Sequence, residues 1–297
     1  LIAIPTLIGI TIVAFLLMYV LPGDPMAILM GDRLDEATVE MLRAKMGLDK
    51  PLHIQYQIFI TSALKGDLGV SYQTRQPVTA MLKSALTATF KVSVLAYAIA
   101  VVLGIPAGVF AAVRHNTWGD LASVFVSLLG ICIPSFVVGL LLLYIFGYLL
   151  RCLPLGGYGG WSYMILPAVT LGVRPAAMLA RITRSGMLEV LRQDYVRTAR
   201  AKGLKDYLVI GKHALRNCLI PVVTVMGRQF SSLLAGSVVT ETIFSWPGIG
   251  RMAVQAIQAR DFPVVRGVVL VSACIVVFIN LIIDLSYGFL DPRIRYN

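Results

Sequence analysis

Charged residues are scarce in this sequence. They make up 14% of its 297 residues, hydrophobic residues make up 58%, and the mean hydropathy is +0.81. Soluble proteins usually contain about 25% charged residues, so this scarcity excludes most soluble folds. A disordered chain combines low hydrophobicity with high net charge, and the apolar excess excludes that class too. The composition therefore predicts a protein whose main solvent is lipid.

Motifs that carry catalytic or nucleotide chemistry are missing. No G-x-x-x-x-G-K-[ST] sequence is present to cradle a nucleotide, and neither H-E-x-x-H nor G-x-S-x-G occurs. Acidic residues are almost absent from the apolar runs, whereas a proton-driven pump usually has a relay of buried carboxylates. We therefore expect no enzyme activity and no metal site. The cysteines lack metal-ligand spacing and are interpreted as packing residues: Cys132, Cys152, Cys218 and Cys274.

Six long apolar runs predict six membrane-spanning helices, since about 20 helical residues cross the hydrocarbon. The strands of a membrane barrel would alternate apolar and polar residues, and these runs do not. The first run is longer than a signal-peptide core, and no small-residue cleavage site follows it. The runs are Leu1–Gly23, Val92–Val113, Leu121–Leu150, Trp161 to about Ala180, Asn217–Thr240 and Gly267–Leu290.

The distribution of Lys and Arg predicts the orientation. Twelve lie in the segments 114–120, 181–217 and 291–297, against three in 151–161 and 241–263. Cytoplasmic loops carry the excess of basic residues, so both termini are expected in the cytoplasm. The predicted organisation is a first span (1–23), an extracytoplasmic helical loop (24–85), a core of five spans (86–290) and a cytoplasmic tail (291–297).

The outer loop is expected to fold as a small helical cap. Asp35 is placed to cap a helix over Glu36–Met46, and a second helix over His53–Leu64 is bounded by Pro51 and Gly66. The loop holds seven basic and seven acidic residues, so it is balanced in charge.

A few polar residues interrupt the spans. Such residues either snorkel and bond to neighbouring helices or line a transport pathway. Arg228 and Gln229 lie mid-span and are the first pathway candidates, followed by Arg174, whereas Lys91 and Asp284 lie near helix ends as anchors. The spacing Gly104-x-x-x-Gly108 permits close helix contact. Prolines in the predicted spans are consistent with a moving gate or with plain packing: Pro106, Pro134, Pro167, Pro175 and Pro221.

The inner loop from Arg181 to Asn217 has a net charge of +6. Asp194 is predicted to cap a short helix over Tyr195–Lys202, which Gly203 ends, and Asp206 to cap a second helix that enters the fifth span. If this loop served only to fix the orientation of the chain in the membrane, its positive charge would be sufficient. A short, rigid, capped helix favours insertion into a groove on a cytoplasmic partner.

These residues resemble a known family. Arg197-Thr-Ala-x-x-x-Gly203, with His213-Ala-Leu-Arg216 nine residues later, resembles the EAA loop of ABC-importer permeases, with Arg197, Thr198 and Arg216 replacing its usual glutamate, alanine and proline. The wider pattern resembles the "B"-type permease of the dipeptide, oligopeptide and nickel branch. It includes Asp194–Leu204, Asn217, Pro221, Leu21–Pro25, Gly66–Gly69, Ser71, Ile165–Ala168, Glu241–Arg251 and Asp291–Arg295.

The resemblance implies a type I importer permease that forms half of a channel as a heterodimer with a homologous permease. Two cytoplasmic ATPases would bind ATP and magnesium, leaving no cofactor on this chain, and an external binding protein would deliver substrate. The implied ATPase-coupling residues are Asp194, Tyr195, Arg197, Thr198, Ala199, Arg200, Lys202, Gly203 and Leu204. The implied contacts of the outer gate or binding protein are Phe244, Trp246, Pro247, Gly248 and Arg251, although an interfacial turn explains Trp246–Gly248 equally well.

The resemblance leaves the substrate open. Relatives carry dipeptides, oligopeptides, glutathione, opines, nickel or its chelates. We take peptides as the first hypothesis, and nickel or a metal chelate as the alternative because the short loop Arg151–Trp161 resembles nickel-type permeases. A secondary transporter is the alternative from another class, and it would require an inverted repeat and midplane ion-binding groups. The expected location is a bacterial or archaeal plasma membrane.

Overall fold

The computed structural model describes residues 3–20, 49–234 and 236–290. The backbone of these residues is mainly helical, and an isolated antiparallel bridge joins Val70 to Pro77. The predicted all-α class is confirmed for this part of the chain. The predicted helix Glu36–Met46 and its cap Asp35 lie outside the described residues.

In chain order the described helices are α1 (Ala3–Val20), α2 (Leu52–Leu64), α3 (Val78–Val113), α4 (Trp118–Cys132), α5 (Ser135–Leu142, continued by a π-helical turn over Leu143–Leu149), α6 (Trp161–Val190), α7 (Asp194–Ala201), α8 (Asp206–Leu208, continued by a π-helical turn over Val209–Ala214), α9 (Leu215–Leu234), α10 (Val238–Ile243), α11 (Ile249–Gln258) and α12 (Phe262–Leu290). From α3 onward, short connections join most of the described helices.

Three helices of the described chain, α3, α6 and α12, are long and apolar enough to cross a membrane unbroken. Two bent pairs raise the number of candidate spans to five, namely α4 with α5 and the α8 segment with α9. The first predicted span is present as the shorter apolar helix α1.

The chain divides into two compact units, the first formed by residues 1–89 and 247–278. In this unit the predicted helix His53–Leu64 is present as α2. The ring of Phe15 on α1 stacks on Phe59 of α2 at 6.3 Å between centroids, and the hydroxyls of Thr11 and Tyr56 lie 2.8 Å apart. The apolar core continues through buried residues of α3, α11 and α12: Val78, Leu82, Ile249, Ala256, Val264, Val265 and Val268.

A buried carboxylate closes the loop at the end of this unit. Asp261 is 3% exposed, and it accepts hydrogen bonds from the Ser71 hydroxyl at 2.5 Å and the Tyr72 backbone N–H at 3.1 Å. A buried charge is tolerated when hydrogen bonds replace its water. Asp261 therefore ties the end of the outer loop to the start of α12.

The second unit comprises residues 90–246 and 279–297, and α6 lies at its centre. Helix α6 packs against α4, α5 and α9. A Cβ atom added to Gly104 or Gly108 would lie 2.5 Å from the carbonyl oxygen of Ala176 or Ala180 on α6. Only glycine permits this approach, so the close helix contact expected from the Gly104-x-x-x-Gly108 spacing is confirmed.

The third predicted span is not straight, contrary to the interpretation of Leu121–Leu150 as one run. It breaks at Ile133-Pro134, and the two halves meet at 102°. The ring of Pro134 disfavours helical geometry at Ile133, whose ψ is 125°. Pro134 therefore separates two helices, whereas Pro106, Pro167, Pro175 and Pro221 lie inside helices as expected.

The helix boundaries differ from those of the apolar runs at three further places. Helix α3 begins at Val78 and not near Val92, and α6 runs to Val190 and not to Ala180. A charge-free run marks only the part of a helix that lies in hydrocarbon. Exposed lysines such as Lys83 lie in the part of the helix that continues beyond the hydrocarbon. The fifth span ends at Leu234 and not at Thr240, because Gly236 adopts a left-handed φ of +94° before α10.

We predict that Gly108→Val destabilises the protein by about 1–3 kcal/mol, because the added side chain overlaps the α6 backbone. The measurement is the Tm of the purified protein in mild detergent. Gly9→Val is the matched control, since a Cβ at Gly9 meets nothing within 4 Å. Equal Tm values for the two variants would show that α3 and α6 do not approach as described.

Candidate functional site

The candidate coupling helix α7 is amphipathic and fixed by its apolar side. Val196 and Ala199, three residues apart, are buried and form a small core with Val209 and the partly buried Val190 and Leu191. Residues at this spacing share one face of a helix. The opposite side is therefore free to present polar side chains.

The start of α7 differs from the prediction. Asp194 is the first helical residue and not the N-cap, which is Gln193 and makes no side-chain capping bond. Asp206 likewise starts α8, after Lys205. Both carboxylates still lie at helix N-termini, where negative charge is favourable. An aspartate one residue later in the helix does not direct its oxygen back to the first N–H groups, so the expected capping bonds are absent.

The end of α7 agrees with the prediction. Gly203 has a φ of +76°, its N–H donates to the Arg200 carbonyl at 2.9 Å, and the Leu204 N–H donates to the Ala199 carbonyl at 3.4 Å. This pattern is typical of a Schellman-type stop, in which glycine supplies the left-handed residue. The direction of the chain after α7 is thus set by the backbone at Gly203.

The exposed side of α7 is mostly cationic. Arg197 is 79% exposed and lies 3.9 Å from Asp194, whereas Arg200 Nε is 3.2 Å from the Asp206 carboxylate. Tyr195 accepts a hydrogen bond at 2.8 Å from Asn217 on α9. Thr198 donates back to the Asp194 carbonyl at 3.0 Å, and Lys202 and Leu204 are also exposed. The helix therefore presents an arginine- and lysine-rich surface with one partly exposed tyrosine.

A buried ion pair that the sequence analysis missed braces the helix leading into α7. Asp120, 2% exposed at the start of α4, accepts a bidentate pair of hydrogen bonds from Arg184 on α6, at 2.5 and 2.8 Å. His115 Nδ1 lies 3.2 Å from the same carboxylate, and the Asn116 N–H donates to it at 3.0 Å. In the sequence, the only sign of this ion pair is Asp120 itself, an acidic residue directly before a long apolar run.

The three pathway candidates lie on two helices. Arg174 on α6 and Arg228 on α9 are exposed in the second unit, and Gln229 is half-buried. Successive helical residues point about 100° apart, so Arg228 and Gln229 do not share one face. The Gln229 Oε1 atom is buried and has no hydrogen-bond partner within the described residues. A buried polar atom without a partner is unusual and marks Gln229 for attention.

The outer segment Phe244–Arg251 is less accessible than direct contact with a binding protein requires. Phe244 and Trp246 are each 1% exposed. The Phe244 carbonyl accepts from the Gly157 N–H at 2.8 Å, and the Trp246 ring packs edge-on against Tyr158 at 5.0 Å. Both residues therefore pack against the loop around Gly157 and Tyr158, whereas the Pro247 side chain is exposed. Gly248 is buried and Arg251 is half-buried.

Metal ligands do not gather in the described part of the chain. No group of three or more His, Cys, Asp or Glu side chains there is arranged to hold a metal ion. The four cysteines are free, and Cys218 is buried against the Thr183 carbonyl at 3.4 Å.

Comparison with known sequences identifies the family. Residues 104–296 match the family described as "Binding-protein-dependent transport system inner membrane component", and residues 1–93 match its N-terminal counterpart. The chain belongs to this family of ABC-importer permeases. It is therefore a non-catalytic, multi-pass subunit of an inner-membrane transporter. Permeases of this kind work with a second permease, ATPase subunits and a binding protein.

Relatives of this permease match nearly its whole length. The "Glutathione transport system permease protein GsiC" of Pectobacterium atrosepticum is 44% identical over 99% of this chain and 96% of the relative. The protein of the same name from Escherichia coli K12 is 42% identical with the same coverage. This family membership argues against the secondary-transporter alternative.

Solved structures support the type I permease fold. A chain of an inward-facing MetNI methionine ABC transporter aligns with a TM-score of 0.59 at 17% identity, covering 71% of this permease and 96% of that chain. A chain of an amino acid ABC transporter crystallised with histidines gives 0.57 at 17% identity, covering 71% and 94%. The predicted fold class is confirmed.

We predict that Asp120→Asn destabilises the permease by about 3 kcal/mol, because Arg184 loses the carboxylate that compensates its charge. The measurement is the Tm of the purified permease in detergent. Asp194→Asn is the matched control, since the exposed Asp194–Arg197 pair contributes little. A Tm unchanged by Asp120→Asn would contradict the bracing role of the ion pair.

Proposed function

We propose that this chain is one half of the translocation pathway of an ATP-driven importer for short peptides, with α7 as the helix that couples it to an ATPase. The observation that carries the proposal is the rigid attachment of α7. Its apolar side is buried by Val196 and Ala199, and its end is set by Gly203. A helix held this way transmits force as a rigid body.

The exposed side of α7 suits a groove lined with acidic and apolar groups. Arg197, Arg200 and Lys202 supply charge, and Tyr195 supplies an aromatic surface. The residues Asp194, Thr198, Ala199, Gly203 and Leu204 then act mainly by shaping and fixing this surface. Arginine and tyrosine are enriched where a few residues carry most of the binding energy of an interface.

Helix α6 provides a direct mechanical path from α7 to the opposite end of the second unit. It is unbroken from Trp161 to Val190, about 45 Å at 1.5 Å per residue. Arg184 attaches it to Asp120 on α4, so a displacement of α7 is expected to move α6 and α4 together. In this proposal, ATP binding draws the ATPases together and turns the two permeases toward an outward-facing state.

The same proposal assigns roles to the remaining candidates. Arg174, Arg228 and Gln229 line the pathway, with Arg228 and Gln229 on adjoining faces of α9 that both border it. The unsatisfied Gln229 Oε1 is supplied with a donor by substrate or by the second permease. At the outer end, the exposed Pro247 and the half-buried Arg251 contribute to the gate or the binding-protein contact, and the buried Gly248 shapes the backbone between them. Phe244 and Trp246 are buried within the second unit and act there as packing residues.

The orientation in the proposal places α7 in the cytoplasm. The excess of Lys and Arg in the inner segments supports it. The inner segments at the two ends of this arrangement are also joined, because Arg184 of the segment 181–217 bonds to Asp120 of the segment 114–120. Both termini then lie in the cytoplasm, and the loop around Gly157 faces outward.

The substrate we propose first is glutathione, within the class of short peptides. Full-length relatives at 42–44% identity bear the name of a glutathione transport permease. Glutathione is a tripeptide with two carboxylates, which the cationic Arg174 and Arg228 are suited to attract. The short loop Arg151–Trp161 was the reason to consider nickel, and metal complexes therefore belong in the substrate test.

The coupling role predicts the effect of Gly203→Val. A β-branched residue in the left-handed region costs at least about 1–2 kcal/mol, which shifts the end of α7. Transport by the reconstituted importer should fall at least about tenfold while ATP hydrolysis continues. Gly203→Asn is the matched control and should keep coupled transport, because asparagine tolerates this backbone conformation. Normal coupled transport by Gly203→Val would overturn the assignment of α7.

The substrate proposal predicts ATP-dependent uptake of labelled glutathione by proteoliposomes containing the complete importer and its binding protein. Uptake should exceed that of a dipeptide or a nickel–histidine complex at least about tenfold at equal concentration. Proteoliposomes supplied without the binding protein are the control. Uptake of the nickel complex without glutathione uptake would favour the metal-chelate alternative and contradict the peptide proposal.

A further inference from the structure

Two apolar grooves flank the same ridge of α3 in the second unit. The first groove has a volume of about 520 Å³ and lies between Ile105, Val109 and Val113 of α3 and Tyr207, Ile210 and Leu215 of the α8–α9 segment. The second groove, about 560 Å³, lies between α3 and the α4 residues Ala122, Ser123 and Val126. Pro106 and Phe110 line both, so Phe110 forms the ridge between them.

One end of the ridge has the character of a membrane–water interface. Trp118, 84% exposed, begins α4, and Tyr207, 66% exposed, lies at the rim of the first groove. Tryptophan and tyrosine concentrate at the level of lipid headgroups. The grooves therefore extend from headgroup level along helices that are long and apolar enough to cross the hydrocarbon.

A cation stands at this interfacial end. Arg114 lines the first groove, and its guanidinium lies over the Phe110 ring at 4.9 Å from the centroid. The neighbouring carboxylates are engaged elsewhere, since Asp120 pairs with Arg184 and Asp206 pairs with Arg200. The exposed charge of Arg114 is thus available to an anion at the mouth of the groove.

We propose that these features form a binding site for one anionic phospholipid. Its two acyl chains occupy the first and second grooves on either side of Phe110, and its phosphate contacts Arg114. Apolar walls below a single cation at headgroup level complement a charged head on two hydrocarbon chains. The inference uses only the membrane location of the permease and not its substrate or its coupling mechanism.

The occupant is a lipid and not a soluble partner or a helix of the second permease. A soluble partner reaches only the interfacial ends of the two grooves, because their walls continue along α3 into the hydrocarbon. A partner helix would bury Arg114 against apolar side chains, which is costly without a compensating carboxylate. A phospholipid supplies both the hydrocarbon and the compensating negative charge.

The chain offers variants that test the charge and the groove separately. Arg114→Gln removes the cation, and Arg114→Lys keeps it. Gly211→Leu fills the first groove, because a Cβ at Gly211 meets nothing within 4 Å. Gly211→Ala is its control, and Lys83→Gln removes an exposed charge from the other end of α3.

The experiment measures phospholipid that stays bound to the complete importer. The importer is incubated in mild detergent with equal amounts of phosphatidylglycerol and phosphatidylcholine, purified, and analysed by mass spectrometry, with its elution volume as the check of intact assembly. Phosphatidylglycerol should be retained by the unaltered importer and by the Arg114→Lys, Gly211→Ala and Lys83→Gln variants. Arg114→Gln and Gly211→Leu should each reduce its retention about tenfold.

Three results would overturn the proposal. One is equal retention of phosphatidylglycerol by Arg114→Gln, Gly211→Leu and the unaltered importer. Another is equal retention of phosphatidylcholine and phosphatidylglycerol, which would remove the role of Arg114. The third is a crosslink to the second permease, and not to lipid, formed in native membranes by a photoreactive residue placed at the exposed position of Val113.

Discussion

The close approach of α3 and α6 is the contact on which the arrangement of the second unit depends. Lipid provides no hydrophobic driving force between helices, so they associate where small residues let their backbones meet. Gly104 and Gly108 leave room for the carbonyls of Ala176 and Ala180, and Gly172 does the same on α6 for Ala96. With α6 held against α3, its other faces pack against α4, α5 and α9.

The placement of α6 determines what the cytoplasmic loop can do. Because α6 continues without a break to Val190, α7 begins only a few residues beyond a rigid rod. The Asp120–Arg184 pair adds a fixed connection to α4 at the same end. A permease without catalytic groups of its own acts by changing the relative positions of its helices. Stiff helices joined by a few specific contacts suit that task.

Much of the fold could be predicted from sequence patterns whose physical cause is local. Charge-free runs locate helices in hydrocarbon, and a glycine after a short amphipathic helix ends it, as Gly203 does. The Gly104–Gly108 spacing also indicated a close contact, although its partner α6 could not be named. A local pattern reports a helix's own preferences and not the neighbour it meets.

The features that escaped prediction depend on positions distant in the chain or on single-residue geometry. Pro134 separates α4 from α5, whereas the prolines inside α6 leave that helix unbroken. The residue type alone does not distinguish these two outcomes. The pairing of Asp120 with Arg184 joins residues 64 positions apart. The burial of Trp246 depends on the ring of Tyr158, on a different loop. Helix starts at Asp194 and Asp206 differed by one residue, which is enough to lose a capping bond.

The most direct test of α7 as the coupling helix is site-specific photo-crosslinking in native membranes. A photoreactive amino acid is placed at Arg197, whose side chain is 79% exposed. Crosslinked products are then identified by mass spectrometry with and without ATP. We predict a crosslink to a cytoplasmic ATP-binding subunit whose yield changes with ATP. A crosslink to the external binding protein, or a helix labelled by a membrane-impermeant reagent from outside, would contradict both the orientation and the coupling role.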